Sequence, residues 1–248
     1  MDLGLGERAY VITGGTRGLG FATAQALVAD GAQVVVSSRS QANVDAAVAS
    51  LGPLARGVVA DNAEASTPTR LVETCLDAFG RLDGALVSVG GPPGTEALGA
   101  SDEQWRASFE SVFLGAVRTC RAVAEHVTEG SAIALVLSSS VKSPLVGIAM
   151  SNGLRPGLAM WGKQLADELG PRGVRVVSLL PGLVATDRIT DLYGEVADSP
   201  TGPAAGIPLR RLGVPSEFGA VAAFVLSPAA SYLTGCVIPV DGGAIRAL

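Results

Sequence analysis

The stretch Thr13-Gly14-Gly15-Thr16-Arg17-Gly18-Leu19-Gly20 follows the apolar run Tyr10–Thr13 and precedes an Ala-rich segment that begins at Phe21. Its glycines let the backbone turn tightly and approach a pyrophosphate closely. The N-terminus of a following helix offers free N–H groups and the positive end of its dipole. A strand before the turn and a helix after it are the context in which such glycines bind a dinucleotide. The stretch therefore predicts a strand–turn–helix unit for a dinucleotide cofactor.

Outward from this turn, short apolar runs alternate with longer helical stretches along the chain. The predicted strands are Tyr10–Thr13, Val34–Ser37, Gly57–Ala60, Ala85–Val89, Ile133–Ser138, Val174–Leu180 and Val237–Val240. The predicted helices are Phe21–Ala29, Val44–Leu51, Leu71–Phe79, Trp105–Val127, Leu154–Leu169 and Phe218–Leu226. Short continuous apolar runs are typical of strands buried on both faces of a parallel sheet. The alternation predicts one α/β domain over residues 1–248, with a Rossmann-type, doubly wound parallel sheet of about seven strands and helices on both faces.

Local signals predict where several helices begin and end. Ser40 precedes the second helix, Thr67-Pro68 predicts an N-cap followed by Pro in the first turn, and Ser101 with Gln104 predicts a capping box. Glycines stand where three helices are expected to stop, at Gly31, Gly80 and Gly170.

The segment from about residue 186 to residue 212 is rich in Pro, Gly, Asp and Ala and has no clear period. A long irregular segment in a compact domain is usually functional or disordered. In a doubly wound fold this one would lie at the carboxyl end of the sheet, where ligands bind. We therefore expect residues 186–212 to form a lid over the substrate.

Composition excludes several classes of function. Lys and Arg number 18 against 23 Asp and Glu, a formal net charge of −5, which argues against nucleic-acid binding. No apolar run reaches the ~18 residues that cross a bilayer, and residues 1–8 do not form a signal peptide. One His and three scattered cysteines predict neither a metal site nor a disulfide framework. We expect a cytoplasmic protein without nucleic-acid or membrane partners.

The end of the second predicted strand indicates which cofactor is preferred. An acidic residue about 20 residues beyond the glycine turn would bind the ribose 2′-hydroxyl of NAD(H). The sequence there is Ser37-Ser38-Arg39-Ser40, with no carboxylate. Arg39 can pair with a 2′-phosphate, and Arg17 in the glycine turn can reach the same group. These residues favour NADP(H) over NAD(H).

The spacing Thr-Gly-x-x-x-Gly-x-Gly over residues 13–20 resembles the short-chain dehydrogenase/reductase family. Three other segments carry the resemblance, namely Asp61-Asn62, Pro181–Thr186 and the ending Tyr232–Gly243, which is most similar to the 3-oxoacyl-(acyl-carrier-protein) reductase branch. The resemblance implies an NADP(H)-dependent oxidoreductase of a small ketone or alcohol. The cofactor residues it implies, together with those above, are Gly14, Thr16, Arg17, Gly18, Leu19, Gly20, Ser38, Arg39, Asp61, Asn62, Val89, Gly90, Gly91, Arg155, Pro181, Gly182, Val184 and Thr186.

The catalytic positions depart from the family pattern of Asn, Ser, Tyr and Lys. In the family, the Tyr gives or takes the proton at the carbonyl oxygen, and a Lys four residues later lowers the Tyr pKa and holds the ribose. Here Ser151 stands at the Tyr position and Arg155 at the Lys position, in a register fixed by Trp161–Leu169. The Asn position falls on Val112, which cannot relay a proton.

The reactive serine is the remaining catalytic candidate. The family spacing places it 13 positions before Ser151, at Ser138, and a short deletion between Val141 and Met150 would move it to Ser140. Substitute proton donors are Lys142, if it is desolvated, and Tyr193, if the lid folds over the cleft. The single histidine, His126, is expected at the surface near the end of a helix.

Two classes of function stay open from the sequence. One is an NADP(H)-dependent oxidoreductase with an altered proton path. The other is a cofactor-binding protein that has lost turnover and acts as a sensor or as an oligomer partner. In either case the resemblance, the low charge content of 17% and the small residues of the predicted helix Leu154–Leu169 predict a homotetramer or homodimer.

Overall fold

A computed structural model describes residues 2–193 and 202–247. Its strands are β1 Ala9–Ile12, β2 Gln33–Ser38, β3 Ala55–Val59, β4 Gly84–Ser88, β5 Ala132–Val136, β6 Arg175–Pro181 and β7 Cys236–Val240. Its α-helices are α1 Gly18–Ala29, α2 Gln41–Leu51, α3 Thr67–Phe79, α4 Asp102–Ser108, α5 Gly115–His126, α6 Ala149–Leu169, α7 Asp187–Tyr193 and α8 Pro215–Leu226. The bounds differ from the predicted ones by a few residues, as element ends usually do.

The seven strands form one parallel sheet in the order β3-β2-β1-β4-β5-β6-β7. The prediction of a doubly wound α/β fold is confirmed. The chain runs outward from β1 through β2 to β3 and then returns to β4 on the other side of β1. In such sheets ligands bind outside the carboxyl ends of the strands at this reversal. The topology therefore places the crevice between the turns that follow β1 and β4.

The core consists of two apolar layers, one on each face of the sheet. Side chains of a strand alternate between faces, so Ala9 and Val11 of β1 join one layer while Tyr10 and Ile12 join the other. All four are fully buried, because helices cover both faces. This explains why the strand runs are continuously apolar.

One predicted helix signal is wrong in detail. Ser66 and not Thr67 precedes α3, and the Thr67 hydroxyl donates to the carbonyl oxygen of Asp61 at 2.6 Å. Gly80 and Gly170 follow the ends of α3 and α6 as predicted, although only Gly80 is left-handed and Gly170 begins a short 3-10 helix. The N-cap of α2 at Ser40 and the Ser101–Gln104 capping box are confirmed.

The predicted helix Trp105–Val127 is divided in three. A π-helix, Phe109–Leu114, separates α4 from α5 and contains the buried Val112. Gly115 follows it, and a Cβ there would overlap the carbonyl oxygen of Asn62. Such wide turns inside helices are frequent at functional sites. Here the wide turn occurs beside the segment that follows β3.

The predicted lid, residues 186–212, is more regular than expected. It contains α7 and a 3-10 helix, Pro203–Gly206, while its residues 194–201 lie outside the described part of the chain. Among the described residues, no helix is both long and apolar enough to cross a membrane.

Candidate functional site

The glycine turn is packed against the end of β4. The Thr13 hydroxyl donates to the carbonyl oxygen of Ser88 and accepts from its N–H, both at 2.9 Å. Gly14 has φ +59°, and a Cβ there would lie 2.7 Å from the Ser88 carbonyl oxygen. A Cβ on Gly20 would overlap the carbonyl oxygen of Gly14. Both positions therefore require glycine, and the turn keeps its backbone uncovered for a ligand.

The start of α1 is open to an anion. Arg17 is its N-cap, and no side chain of the described residues caps the N–H groups of the first turn. These groups, beginning at Gly18 and Leu19, carry the partial positive charge of the helix end. Thr16 is buried beside them, and Leu19 packs against the core. The residues present fit the pyrophosphate of a dinucleotide.

The end of β2 carries the residues predicted to contact the ribose. The hydroxyl of Ser38 accepts the N–H of Ser40 at 3.3 Å, and Arg39 follows as an exposed side chain. Arg17 forms an ion pair with Asp187 of α7 at 3.7 Å, and both side chains are more than two-thirds exposed. Exposed ion pairs are weak, so Arg17 can exchange Asp187 for a phosphate at little cost.

The predicted adenine pair lies where β3 ends. The Asp61 carboxylate accepts the N–H of Ala63 at 2.9 Å, which holds the turn after β3. The carbonyl of Asn62 faces Gly115 at the start of α5. Both residues are partly exposed at the carboxyl edge of the sheet.

The segment after β6 closes the other side of the crevice. Pro181 ends β6, Gly182 follows it, and Val184 is buried. The methyl of Thr186 lies 3.5 Å from where a Cβ of Gly18 would be. The fold thus brings Thr186 next to Gly18 of the glycine turn, although the two residues are 168 positions apart in the sequence.

Arg155 is buried between the ends of β4 and β5. Its Nη1 donates to the carbonyl oxygen of Val136 at 2.8 Å and its Nη2 to that of Val89 at 3.2 Å. The side chain is only 6% exposed. Burial, with the charge of Arg188, lowers its pKa to about 10. The guanidinium stays charged at neutral pH and cannot relay a proton.

A residue that sequence reasoning missed contacts the same segment. Arg188 in α7 donates from Nη2 to the carbonyl oxygen of Pro92 at 2.9 Å and from Nη1 to that of Gly91 at 3.4 Å. Its guanidinium lies against Gly91, where a Cβ would come within 2.7 Å of it, whereas Gly90 is open. The only signal for Arg188 in the sequence is its position two residues after Thr186.

The three serine candidates have different environments. The Ser138 hydroxyl accepts the N–H of Ser140 at 3.1 Å and caps the short 3-10 helix Ser139–Val141. The Ser140 hydroxyl is buried and has no hydrogen-bond partner among the described residues. Ser151 is buried in the first turn of α6, against which the 3-10 helix packs. The Ser138 hydroxyl therefore already accepts one hydrogen bond, whereas the Ser140 hydroxyl has none within the described part of the chain.

The other candidates do not join this group. Lys142 is exposed, so the desolvation that would make it a proton donor is missing. The exposed His126 has its Nδ1 3.0 Å from the carbonyl oxygen of Ala122, at the surface as expected. Tyr193 ends α7, and its side chain lies outside what the structure describes. Within residues 2–193 and 202–247, no cluster of three or more His, Cys, Asp or Glu is placed to hold a metal ion.

Comparison with known proteins agrees with this arrangement. The family model described as "Enoyl-(Acyl carrier protein) reductase" matches residues 14–244. The short-chain reductase protein NovJ of Streptomyces niveus is 34% identical over 245 residues, which are 96% of this chain and 94% of that protein.

Solved structures are similar over nearly the whole length. L-sorbose reductase from Gluconobacter frateurii, complexed with NADPH and L-sorbose, has a TM-score of 0.92 and 27% identity over 100% of both chains. A 3-ketoacyl-(acyl-carrier-protein) reductase from Brucella melitensis, complexed with NADH, has a TM-score of 0.87 and 27% identity. It covers 97% of this chain and 99% of its own. The similar structures therefore include one with NADPH and one with NADH.

Proposed function

The chain belongs to the short-chain dehydrogenase/reductase family of NAD(P)-dependent oxidoreductases of CH–OH and C=O groups, and we propose that it reduces a small carbonyl compound with NADPH. The observation that carries this proposal is the glycine turn. Gly14 and Gly20 have no room for a Cβ, and the first turn of α1 has no capping side chain. A turn built in this way suits a pyrophosphate.

The preference for NADP(H) rests on Arg39 and Arg17. Arg39 is exposed directly after β2, and the segment Ser37–Ser40 contains no carboxylate that would bind a free 2′-hydroxyl. Both guanidiniums can donate charge-assisted hydrogen bonds to the oxygens of the 2′-phosphate. Asp187 competes for Arg17 only through an exposed ion pair.

When bound, NADPH supplies the hydride. The tasks of the protein are to orient the carbonyl and to supply a proton at its oxygen. We propose that the hydroxyls of Ser140 and Ser151 hold that oxygen and that an ordered water delivers the proton. Within the described residues the buried hydroxyl of Ser140 has no hydrogen-bond partner, and the position of the family Tyr holds the smaller, buried Ser151. Arg155 is a positioning residue, since it ties the ends of β4 and β5 together.

Turnover is expected to be slow. A tyrosine has a pKa of about 10 that an enzyme can tune toward neutral, whereas a serine hydroxyl is a far weaker acid. Losing general acid–base catalysis costs about 10²–10⁴-fold in rate. The rate enhancement that remains comes from positioning of the substrate and from electrostatic stabilisation.

A second candidate is a cofactor-binding protein that serves as an oligomer partner or sensor without turnover. The geometry of Arg155 favours it, because both of its recorded contacts are to backbone carbonyls of the protein itself. In either function we propose a cytoplasmic homo-oligomer. The buried free thiols Cys75 and Cys120 suit a reducing compartment.

Paired serine variants test the proposed function. With saturating NADPH and a panel of small ketones and acyl thioesters, Ser140→Ala should lower kcat about tenfold or more. The neighbouring Ser139→Ala is the matched control and should leave kcat unchanged. The Kd for NADPH, from nicotinamide fluorescence, should be the same in both variants. Wild-type kcat in Ser140→Ala would contradict the role of Ser140, and absence of any turnover would favour the second candidate.

A further inference from the structure

Two guanidiniums contact one short segment at the carboxyl edge of the sheet. Arg155 donates to the carbonyl oxygen of Val89, and Arg188 donates to those of Gly91 and Pro92. Arg155 contacts the segment from α6 and is buried. Arg188 contacts it from α7 and is exposed. The segment 89–92 follows β4 at the carboxyl edge of the sheet, and residues 89–91 are also among those expected to contact the cofactor.

Neither charge has a counter-ion among the described side chains, which in α7 end at Thr190. Within residues 2–190 and 202–247, no carboxylate lies within ion-pair distance of Arg155 or Arg188, and the hydrogen bonds of both residues there go to neutral carbonyls. The nearest acidic neighbour in sequence, Asp187, pairs with Arg17 instead. The two guanidiniums are close enough for the charge of Arg188 to lower the pKa of Arg155. A bound anion would relieve this repulsion.

The donors left over suit a carboxylate. A guanidinium has five N–H groups in a planar fork that matches the two oxygens of a carboxylate. The contacts of Arg188 with Gly91 and Pro92 use two of its nitrogens and leave further N–H groups free. Ser140 adds a buried hydroxyl that has no hydrogen-bond partner among the described residues, on the 3-10 helix that packs against α6, the helix that carries Arg155.

We propose that the substrate is a keto acid or the corresponding hydroxy acid, and that Arg188 binds its carboxylate over the segment 89–92 while Arg155 contributes positive charge from beneath. This inference rests on the proposed function and names its substrate class. The cofactor is the other possible source of an anion. Its pyrophosphate already has the glycine turn and the open end of α1, and its 2′-phosphate has Arg39.

The test uses a dead-end complex, so that binding is measured without chemistry. Purified protein is saturated with NADP⁺, which has no hydride to give, and titrated calorimetrically with acetoacetate or with its neutral ester, methyl acetoacetate. Wild type should bind acetoacetate about tenfold or more tightly than the ester, since a charged hydrogen bond discriminates to that extent. Arg188→Met should lose the difference, and Arg188→Lys should retain part of it.

A matched control is available in Arg172→Met. Arg172 also donates to a backbone carbonyl, that of Val127, at 2.9 Å, but it lies at the opposite edge of the sheet. This variant should keep the preference for acetoacetate, and all variants should bind NADP⁺ as wild type does.

The outcomes separate this inference from the proposed function. Equal binding of acetoacetate and its ester by wild type, or an undiminished preference in Arg188→Met, would overturn the inference while leaving the proposed function intact. If Arg188→Met has a higher Kd for NADP⁺ and keeps the preference for acetoacetate over its ester, Arg188 belongs to the cofactor site and the inference is overturned too. No binding of NADP⁺ by wild type would overturn both.

Discussion

Ser151 and Arg155 lie one turn apart on α6, so both side chains are directed to the same side of the helix. The structure buries both and ties Arg155 to the strand ends. We therefore propose that the arrangement of the family pair is kept while its acid–base chemistry is changed. On this proposal the proton donor comes from outside the pair.

Arg39 gives the most direct prediction at the scale of single residues. Arg39→Ala removes an exposed guanidinium that touches no recorded protein partner in the described chain, so the fold should be unaffected. Wild type should bind NADPH more tightly than NADH, and the variant should narrow that ratio about tenfold or more, the value of one charge-assisted pair. Fluorescence titration of both cofactors measures the ratio. Equal or tighter binding of NADH by wild type would refute the preference.

The sequence predicted some site residues better than others. Gly14, Gly20 and Thr186 were identifiable because their chemistry depends on spacing close to a strand end. The sequence could not decide between Ser138 and Ser140, because the choice depends on which hydroxyl caps the 3-10 helix. Arg188 was missed because its partners Gly91 and Pro92 are 97 and 96 residues away along the chain.

At the scale of elements, we propose that the glycine turn and α1 form the site that binds the cofactor pyrophosphate, the cofactor cradle, and Gly20→Ala tests this proposal. A methyl group on Gly20 would overlap the carbonyl oxygen of Gly14, so the turn must move. We expect the Kd for NADPH to rise about tenfold or more, because the pyrophosphate needs several N–H groups in one fixed arrangement.

The control for this variant is Gly6→Ala. A Cβ on Gly6 meets nothing within 4 Å, and its conformation is ordinary for any residue. This variant should bind NADPH as wild type does. If Gly20→Ala also binds NADPH normally, the cradle is not where we place it.

Periodicity predicted the elements well and their interruptions poorly. The strands were found because both faces are buried and their sequences are therefore uniformly apolar. The π-helix Phe109–Leu114 was not found, since one widened turn hardly disturbs an apolar period. The N-cap of α3 was misplaced at Thr67, because Thr67 hydrogen-bonds instead to Asp61 of the preceding turn.

For the whole molecule we predict a homodimer or homotetramer. Phe109 stacks on Phe113, which lies against Gly157 of α6. Phe109 is 43% exposed, and Met160, three residues after Gly157 on α6, is 73% exposed. Exposed apolar groups of this kind mark interfaces. Light scattering should give two or four times the chain mass of 24.9 kDa.

Charge substitution locates the interface. Met160→Glu should shift the protein toward monomer, whereas Leu98→Arg, at a still more exposed apolar residue in the loop between β4 and α4, should not. A wild-type monomer at micromolar concentration would refute the assembly.

We propose that the pyrophosphate and the 2′-phosphate are bound by the first half of the molecule and that the proton is delivered from the second half. The units β1 to β3 with α1 provide the glycine turn and the ribose end, while β4 to β6 with α6 and α7 carry the serines and the two guanidiniums. The central claim is that the first half is intact and that the second lacks only an efficient proton donor.

The measurement that tests this claim most directly is NADPH-dependent ketone reduction by wild type and by the double variant Ser151→Tyr with Arg155→Lys, each with its Kd for NADPH. We predict that the Kd is unchanged and that kcat rises about 10²-fold or more, as restored acid catalysis requires. Circular dichroism confirms that the variant is folded, and Arg155→Lys alone serves as control. Fast wild-type turnover that survives Ser151→Ala, or a folded double variant no faster than wild type, would contradict the claim.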